Sequence, residues 1–244
     1  MNNKDIIMKT IFIILLIIMS VQISFSQSQK FFDAPFGGGG GFTPSFYFTN
    51  FDAINSKLAE NNFPEFSSKG IFTTGGGGYI YIGFIKYLRI GGLGFGGMVS
   101  NSFSNSVANY QFDYSIGGGG VTIEYTLPFV KDFGVSLGTI IGASSLTMEV
   151  FQNSQTYNWD NIFSSASGNS LLRISKTSWM LSPTLNVDYP IYRFVALRLG
   201  AGYHFTFGGD WKANNNQNII NVPDNLNSKS FFVQLGIFGG FFSF

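Results

Sequence analysis

Much of the chain alternates between apolar and polar side chains with a period of two. Val195, Leu197, Leu199, Ala201, Tyr203, Phe205 and Phe207 fall on one face of an extended segment; Ala196, Arg198, Gly200, Gly202, His204 and Thr206 fall on the other. Trp179, Leu181, Leu185, Val187 and Tyr189 likewise oppose Ser178, Ser182, Thr184, Asn186 and Asp188. Val121, Ile123, Tyr125 and Leu127 oppose Thr122, Glu124 and Thr126. Successive side chains of a strand point to opposite faces, so each set reads as a strand with one apolar face. The pattern predicts eight strands, near 40–50, 70–85, 89–101, 110–127, 133–150, 176–189, 194–208 and 230–244. Each reaches the roughly 9–11 residues that a tilted membrane strand needs.

The connections alternate in length. Short ones fall at Ile85–Leu88, Pro128–Asp132 and Pro190–Arg193. Longer polar ones fall at Phe51–Lys69, Ser102–Asn109, Phe151–Ser175 and Gly209–Lys229. That is the pattern of an all-β, eight-stranded antiparallel up-and-down transmembrane barrel, with short periplasmic turns and four longer outer loops. Its apolar faces would point outward, whereas a soluble barrel would turn them inward. Alternation alone does not separate these two.

Three stretches depart from the period. Tyr79-Ile80-Tyr81-Ile82 is apolar on both faces, so its orientation stays open. In the fourth strand Phe112, Tyr114 and Ile116 occupy even positions, yet beyond Gly117–Gly120 the apolar set is odd. A similar shift falls near Ser144-Ser145. A one-residue phase change predicts a β-bulge, which glycine accommodates. In the first long loop Asp52 is a candidate N-cap, Ile54 and Leu58 share a helical face, and Pro64 ends the segment. This helix either caps the barrel mouth or stands exposed.

Composition favours the outward-facing reading. Only 11% of residues are charged, with 31 Gly and 29 Phe; soluble domains carry about 25% charged residues. A surface so poor in charge would aggregate in water unless something apolar covered it. Lys9, the apolar run Ile11–Met19 and Ser24-Phe25-Ser26 have the order of a signal peptide, with cleavage expected after Ser26. Translation could start at Met1 or at Met8. The alternative is a membrane anchor, for which the run is short. The expected division is a signal peptide over 1–26, a periplasmic segment over 27–36 and the barrel over 37–244. Beyond residue 26 the acidic and basic residues balance, so nothing electrostatic favours nucleic acid. There is no Cys, which excludes a lipid-anchoring or thiolate site.

The candidate chemistry is sparse. Gly92, Gly94 and Gly97 form a G-x-G-x-x-G match. A dinucleotide site needs a helix after that turn, and here a strand continues. Glycine runs at 37–41, 75–78 and 117–120 read instead as bends or close strand approaches. Glu124, Asp188, Arg198 and His204 should all point into the barrel. Charges buried in a narrow lumen must pair, which predicts a polar network among these four. The rival reading is a barrel-wall lipid hydrolase with His204 as base and a serine such as Ser136 or Ser182 as nucleophile. No G-x-S-x-G motif accompanies it. With one His and no Cys, no metal or other cofactor is expected. Asn- and Ser-rich loops carrying Trp159 and Trp211 could bind sugars or protein, or be merely soluble.

The last strand ends in Gly239, Phe242 and Phe244. These positions resemble the C-terminal signal of bacterial outer-membrane β-barrels, a Gly before two alternate aromatics. Ile237 stands where that pattern has a polar residue. The resemblance implies handling by the barrel-assembly machinery and an architecture like the small outer-membrane protein A, X and W barrels. It carries no catalytic residue. The expected protein is an integral outer-membrane barrel in contact with lipid, structural or binding an extracellular ligand through its loops. The alternatives are the His204 hydrolase and a narrow pore or carrier for small apolar solutes. Deleting Phe244 is expected to lower the fraction of chain assembled into membranes while leaving the denaturation midpoint of assembled barrel nearly unchanged. Equal loss in both measurements would contradict an assembly role.

Overall fold

The structure is a computed structural model that describes residues 37–241, apart from 68, 131–132, 155–168, 193, 215 and 224. The expected signal peptide, the 27–36 segment, Phe242 and Phe244 lie outside the described residues.

Eight antiparallel strands close into a ring. The first is β1 (Gly38–Phe42) continued by β2 (Ser45–Phe48). Pro44 has no N–H to donate and divides the strand, but its carbonyl still accepts from the Leu235 N–H at 3.0 Å and the register is unbroken, because both pieces pair with the same two neighbours in one continuous alignment. Next come β3 (Ile71–Tyr81), β4 (Leu88–Ser104), β5 (Asn109–Thr126), β6 (Gly134–Asn153), β7 (Asn169–Tyr192) and β8 (Val195–Phe207). A two-stranded ribbon follows, β9 (Lys212–Ala213) and β10 (Gln217–Asn218), and then β11 (Ser230–Phe241). Strand β11 pairs with β8 on one side and with β1 and β2 on the other, which closes the ring.

The ring is taller on one side. Strands β4 to β7 run on past the ends of their neighbours as a four-stranded wing, paired from Ser104↔Asn109 through Asn153↔Asn169. The long loop expected at Ser102–Asn109 is therefore half strand, with a four-residue turn over Asn105–Ala108. Asn105 makes the turn tight, its Oδ1 accepting the Val107 and Ala108 N–H groups.

Neither expected bulge exists. Strand β5 pairs with β4 and β6 without a register shift through Gly117–Gly120 and Ser144-Ser145. Even-numbered β5 residues face inward throughout: Phe112, Tyr114, Ile116, Thr122, Glu124 and Thr126 are all buried. What changes at the glycines is the chemistry of the faces. Below them the exterior is apolar (Val121, Ile123, Tyr125) and the interior polar. Above them the interior is apolar and the exterior carries Gln111, Asp113 and Ser115. The other wing strands switch at the same level. Exterior Met98 gives way to Ser100, Ser102 and Ser104; Ile141 to Ser145, Thr147 and Glu149; Trp179 to Thr177, Ser175 and Arg173.

The lower exterior is lipid-like around the ring. Trp179 is 66% exposed, Leu235 61% and Leu199 58%. Aromatics collect at both borders, with Tyr125, Tyr189, Tyr192 and Phe241 at one and Phe48, Phe72, Trp179 and Phe207 at the other. From Tyr189 to Trp179 the strand rises about 33 Å at 3.3 Å per residue. A tilt of about 40° reduces that to the roughly 25 Å apolar band of a membrane barrel. This exterior reverses the polarity of a soluble barrel.

Helix α1 (Asp52–Glu60) leaves β2 and folds over the ring. Phe51, not Asp52, holds the N-cap position. The cap comes from one residue further back, where Asn50 Oδ1 accepts the Asp52 N–H at 2.6 Å. The helix stops before Pro64, as Asn62 turns left-handed at φ 58°.

Leu199→Arg places a charge near the middle of the apolar band and is expected to cost about 2–4 kcal/mol in refolding titrations from lipid vesicles. Ser102→Arg, on the wing exterior, should stay within about 0.5 kcal/mol. Similar costs at both positions would contradict the boundary between them.

Candidate functional site

The lower lumen is closed by a ring of charges. Arg89 and Glu124 are direct partners across β4 and β5, as are Asp188 and Arg198 across β7 and β8. Arg89 meets Glu124 at 2.7 Å and Asp188 at 2.6 Å. Arg198 meets Glu124 at 3.0 Å and Asp188 at 2.6 Å. Each acid thus touches both arginines, and the ring carries no net charge. Ser136 accepts from Arg89, and Asn186 donates to Glu124 at 3.2 Å and accepts from Gln234 at 3.1 Å. The guanidiniums lie on aromatic faces, Arg89 4.5 Å from the Tyr79 ring centre and Arg198 4.8 Å from that of Phe238. Tyr79 and Tyr81 therefore face inward, settling the orientation that their sequence left open.

Glycine makes room for the ring. A Cβ on Gly138 would stand 2.7 Å from Glu124 Cγ, and one on Gly200 would stand 2.4 Å from Asn186 Oδ1. The cavity left beside the ring, reaching Thr43 and Thr184, is about 20 Å³. That is room for about one water molecule, not for a solute path.

The structure brings together three of the four expected lumen residues, Glu124, Asp188 and Arg198, and leaves His204 apart. His204 is fully buried higher in the lumen. Its Nδ1 lies 3.1 Å from Ser182 Oγ and its Nε2 3.1 Å from Ser144 Oγ. The rings of Tyr47 and Phe95 stand edge-on to it. Ser182 is thus in reach of a histidine base, but a lipid is not, and Ser136 serves Arg89 instead. The ring member missed by sequence reasoning is Arg89. Its signal was available: Leu88 and Ile90 flank it, and once they face lipid, Arg89 must face the lumen.

Above His204 the lumen becomes an apolar core. Tyr47, Phe95 and Phe232 stack there, with Ile71, Ile116, Leu146 and Met180 around them. Trp211, on a loop left open between binding sugars or protein and being merely soluble, is buried in this core; Trp159 lies outside the described residues. Between the wing and its cover is an apolar chamber of about 420 Å³. Phe112, Tyr114, Met148, Val150 and Ile174 form the wing side. Ile54, Leu58, Phe63 and Phe66 come from α1 and the segment after it, and Ile219, Val222 and Leu226 from the stretch before β11. The cover is tied down. Asn55 exchanges two hydrogen bonds with the Phe66 backbone, at 2.9 and 3.1 Å, and Asn101 of the wing donates to the Pro64 carbonyl at 2.6 Å. Of the two roles open to the helix from sequence, the structure shows the mouth-capping one.

A closed ring with an apolar exterior and a paired-charge lumen defines the class as a membrane-type eight-stranded β-barrel. Neither a protein-family model nor a curated protein sequence matches the chain. Solved structures similar to it include Ail, the attachment invasion locus protein of Yersinia pestis, in complex with the heparin analogue sucrose octasulfate. That match has 11% identity, covers 84% of this chain and 99% of Ail, and has a TM-score of 0.42. Neisserial surface protein A matches at 13% identity over 85% of this chain and 97% of its own, with a TM-score of 0.37. A major outer membrane protein from Thermus thermophilus matches at 9% identity over 84% and 99%, with a TM-score of 0.45. No residue role passes from them to this chain.

Asp188→Asn leaves two buried arginines facing one carboxylate. Breaking such a group is expected to cost about 3–5 kcal/mol, read as a lowered urea midpoint in lipid vesicles. A change within about 0.5 kcal/mol would show that the ring does not hold the lumen.

Proposed function

We propose that the chain is an integral protein of a bacterial outer membrane, sealed across its lumen, that acts as a structural or surface-binding protein through the elements at its loop end. The observation that carries this reading is the switch of apolar face at one level on four successive strands. A strand entirely in water has no reason to switch, whereas one that leaves a bilayer does. The charge ring and the apolar core above it argue against a pore, since each fills the lumen with side chains. The burial of His204 argues against a lipid hydrolase. Lipid contacts the band from Tyr189 to Trp179, and the barrel-assembly machinery would engage the strand that carries Gly239. The wing, α1 and the β9–β10 ribbon stand beyond the membrane, where an extracellular ligand could reach them.

The test uses the refolded full chain. Unboiled protein is expected to run faster in SDS gels than boiled protein, and planar bilayers containing it should show no conductance steps. Regular steps would contradict a sealed lumen. Recovery as soluble periplasmic material would contradict the membrane reading.

A further inference from the structure

Among the described residues, the three most exposed aromatic side chains stand at the turn end of the barrel, not on its lipid-facing wall. Phe84 is 88% exposed, Phe129 75% and Tyr192 72%, against 66% for Trp179 on the wall. They belong to three turns, β3–β4, β5–β6 and β7–β8, and so recur around the ring at every second gap between strands. Backbone hydrogen bonds fix these turns. The Ile82 N–H donates to the Leu88 carbonyl at 3.0 Å, the Ile85 N–H to that of Ile82 at 3.1 Å, and the Leu127 N–H to that of Val135 at 2.7 Å. Turns held in this way present their rings outward.

Positive charge accompanies the rings. Lys86 follows Phe84 by two residues, is exposed, and has no ion pair among the described residues. In the sequence the same neighbours recur as Phe129-Val130-Lys131 and as Tyr192-Arg193. The turn sequences 82–88, 127–133 and 190–194 together hold three basic residues and one acidic residue, Asp132. The turn end is therefore net positive in a chain whose charges otherwise balance.

Exposed rings at this end fit either a bilayer or a protein partner. A protein docked on one side would meet a one-sided patch. These rings instead recur around the ring, and they continue the lipid-facing wall through the exposed Ile80, Ile90, Tyr125 and Tyr189. Aromatic side chains settle at the headgroup level of a membrane, and basic groups beside them favour anionic lipid. We infer that the turn end is seated in the headgroup layer of the near leaflet and binds anionic phospholipid there. Phe84, Phe129 and Tyr192 enter the interface, and Lys86 meets a lipid phosphate. This rests on the outer-membrane reading and adds to it a leaflet and a lipid class.

The experiment uses full-length protein refolded into phosphatidylcholine vesicles that carry a trace of nitroxide-labelled lipid. The fraction of label immobilised against the barrel is compared for phosphatidylglycerol and phosphatidylcholine. Phosphatidylglycerol should be favoured by about two- to fivefold, the larger figure being the worth of one basic side chain near an anionic surface. Lys86→Gln should lower the preference, and its combination with Lys131→Gln and Arg193→Gln should abolish it while heat-modifiable mobility is kept. A bimane label on Ile85→Cys reads the seating: lipid with a nitroxide headgroup should quench it more than aqueous iodide does. Equal immobilisation of the two lipids by folded protein would overturn the inference and leave the membrane reading intact. So would a preference that persists in the folded triple variant. Dominant quenching by iodide would also overturn it, leaving the turns free for a periplasmic protein. Protein that stays soluble would overturn both readings.

Discussion

A strand that leaves a bilayer keeps its geometry and changes its solvent. Its side chains still alternate, and its ladder still runs in register, but the face that was stable against lipid is now against water. The four long strands of this barrel meet that constraint at one level, near Met98, Ile141 and Trp179. Below it they are built inside-out; above it they are built as a soluble sheet, with an apolar concave face that must be covered. Helix α1 and the segment before β11 supply the cover. The chamber, the capped mouth and the polar wing exterior all follow from this inversion.

The two halves of the lumen solve different problems. In the lower half lipid surrounds the wall, so burying apolar side chains inside gains little over leaving them outside. Paired charges distinguish the faces instead, because an arginine turned to lipid is costly. Arg89, Glu124, Asp188 and Arg198 sit on four different strands, and their mutual contacts fix those strands about one centre. The upper half is in water, where the hydrophobic effect operates again and aromatic packing fills the interior. His204 lies at the junction, hydrogen-bonded to two serines and flanked by two aromatic rings.

The barrel was legible in the sequence wherever one strand carried a complete alternating set. Leu197, Leu199 and Tyr203 against Arg198 and His204 gave the right faces, and the turn positions followed. The phase change at Gly117–Gly120 was visible too, but it carried two meanings. A bulge moves side chains to the other face, and a change of solvent moves hydrophobicity to the other face, so both produce the same string of letters. Register separates them. Arg89 lies on a strand whose glycines blur the alternation, so its face shows only once the flanking Leu88 and Ile90 are assigned to lipid. The chamber was hidden for a different reason: its walls come from four stretches within 53–66, 112–114, 148–150 and 219–226 together with Ile174, and no local pattern joins them. Trp211 shows the same limit, since a tryptophan amid Asn and Lys reads as surface until the fold buries it.

The inversion can be measured along a single strand. The chain has no cysteine, so each cysteine introduced on the exterior of β7 is a unique attachment point for a nitroxide label. Collision with oxygen, which concentrates in lipid, and with a water-soluble nickel complex would be compared for Leu185→Cys, Leu181→Cys, Thr177→Cys and Ser175→Cys in lipid vesicles. The inversion predicts that oxygen dominates at positions 185 and 181 and nickel at 177 and 175. A lipid signature continuing through 177 and 175, or a water signature at 185 and 181, would contradict it.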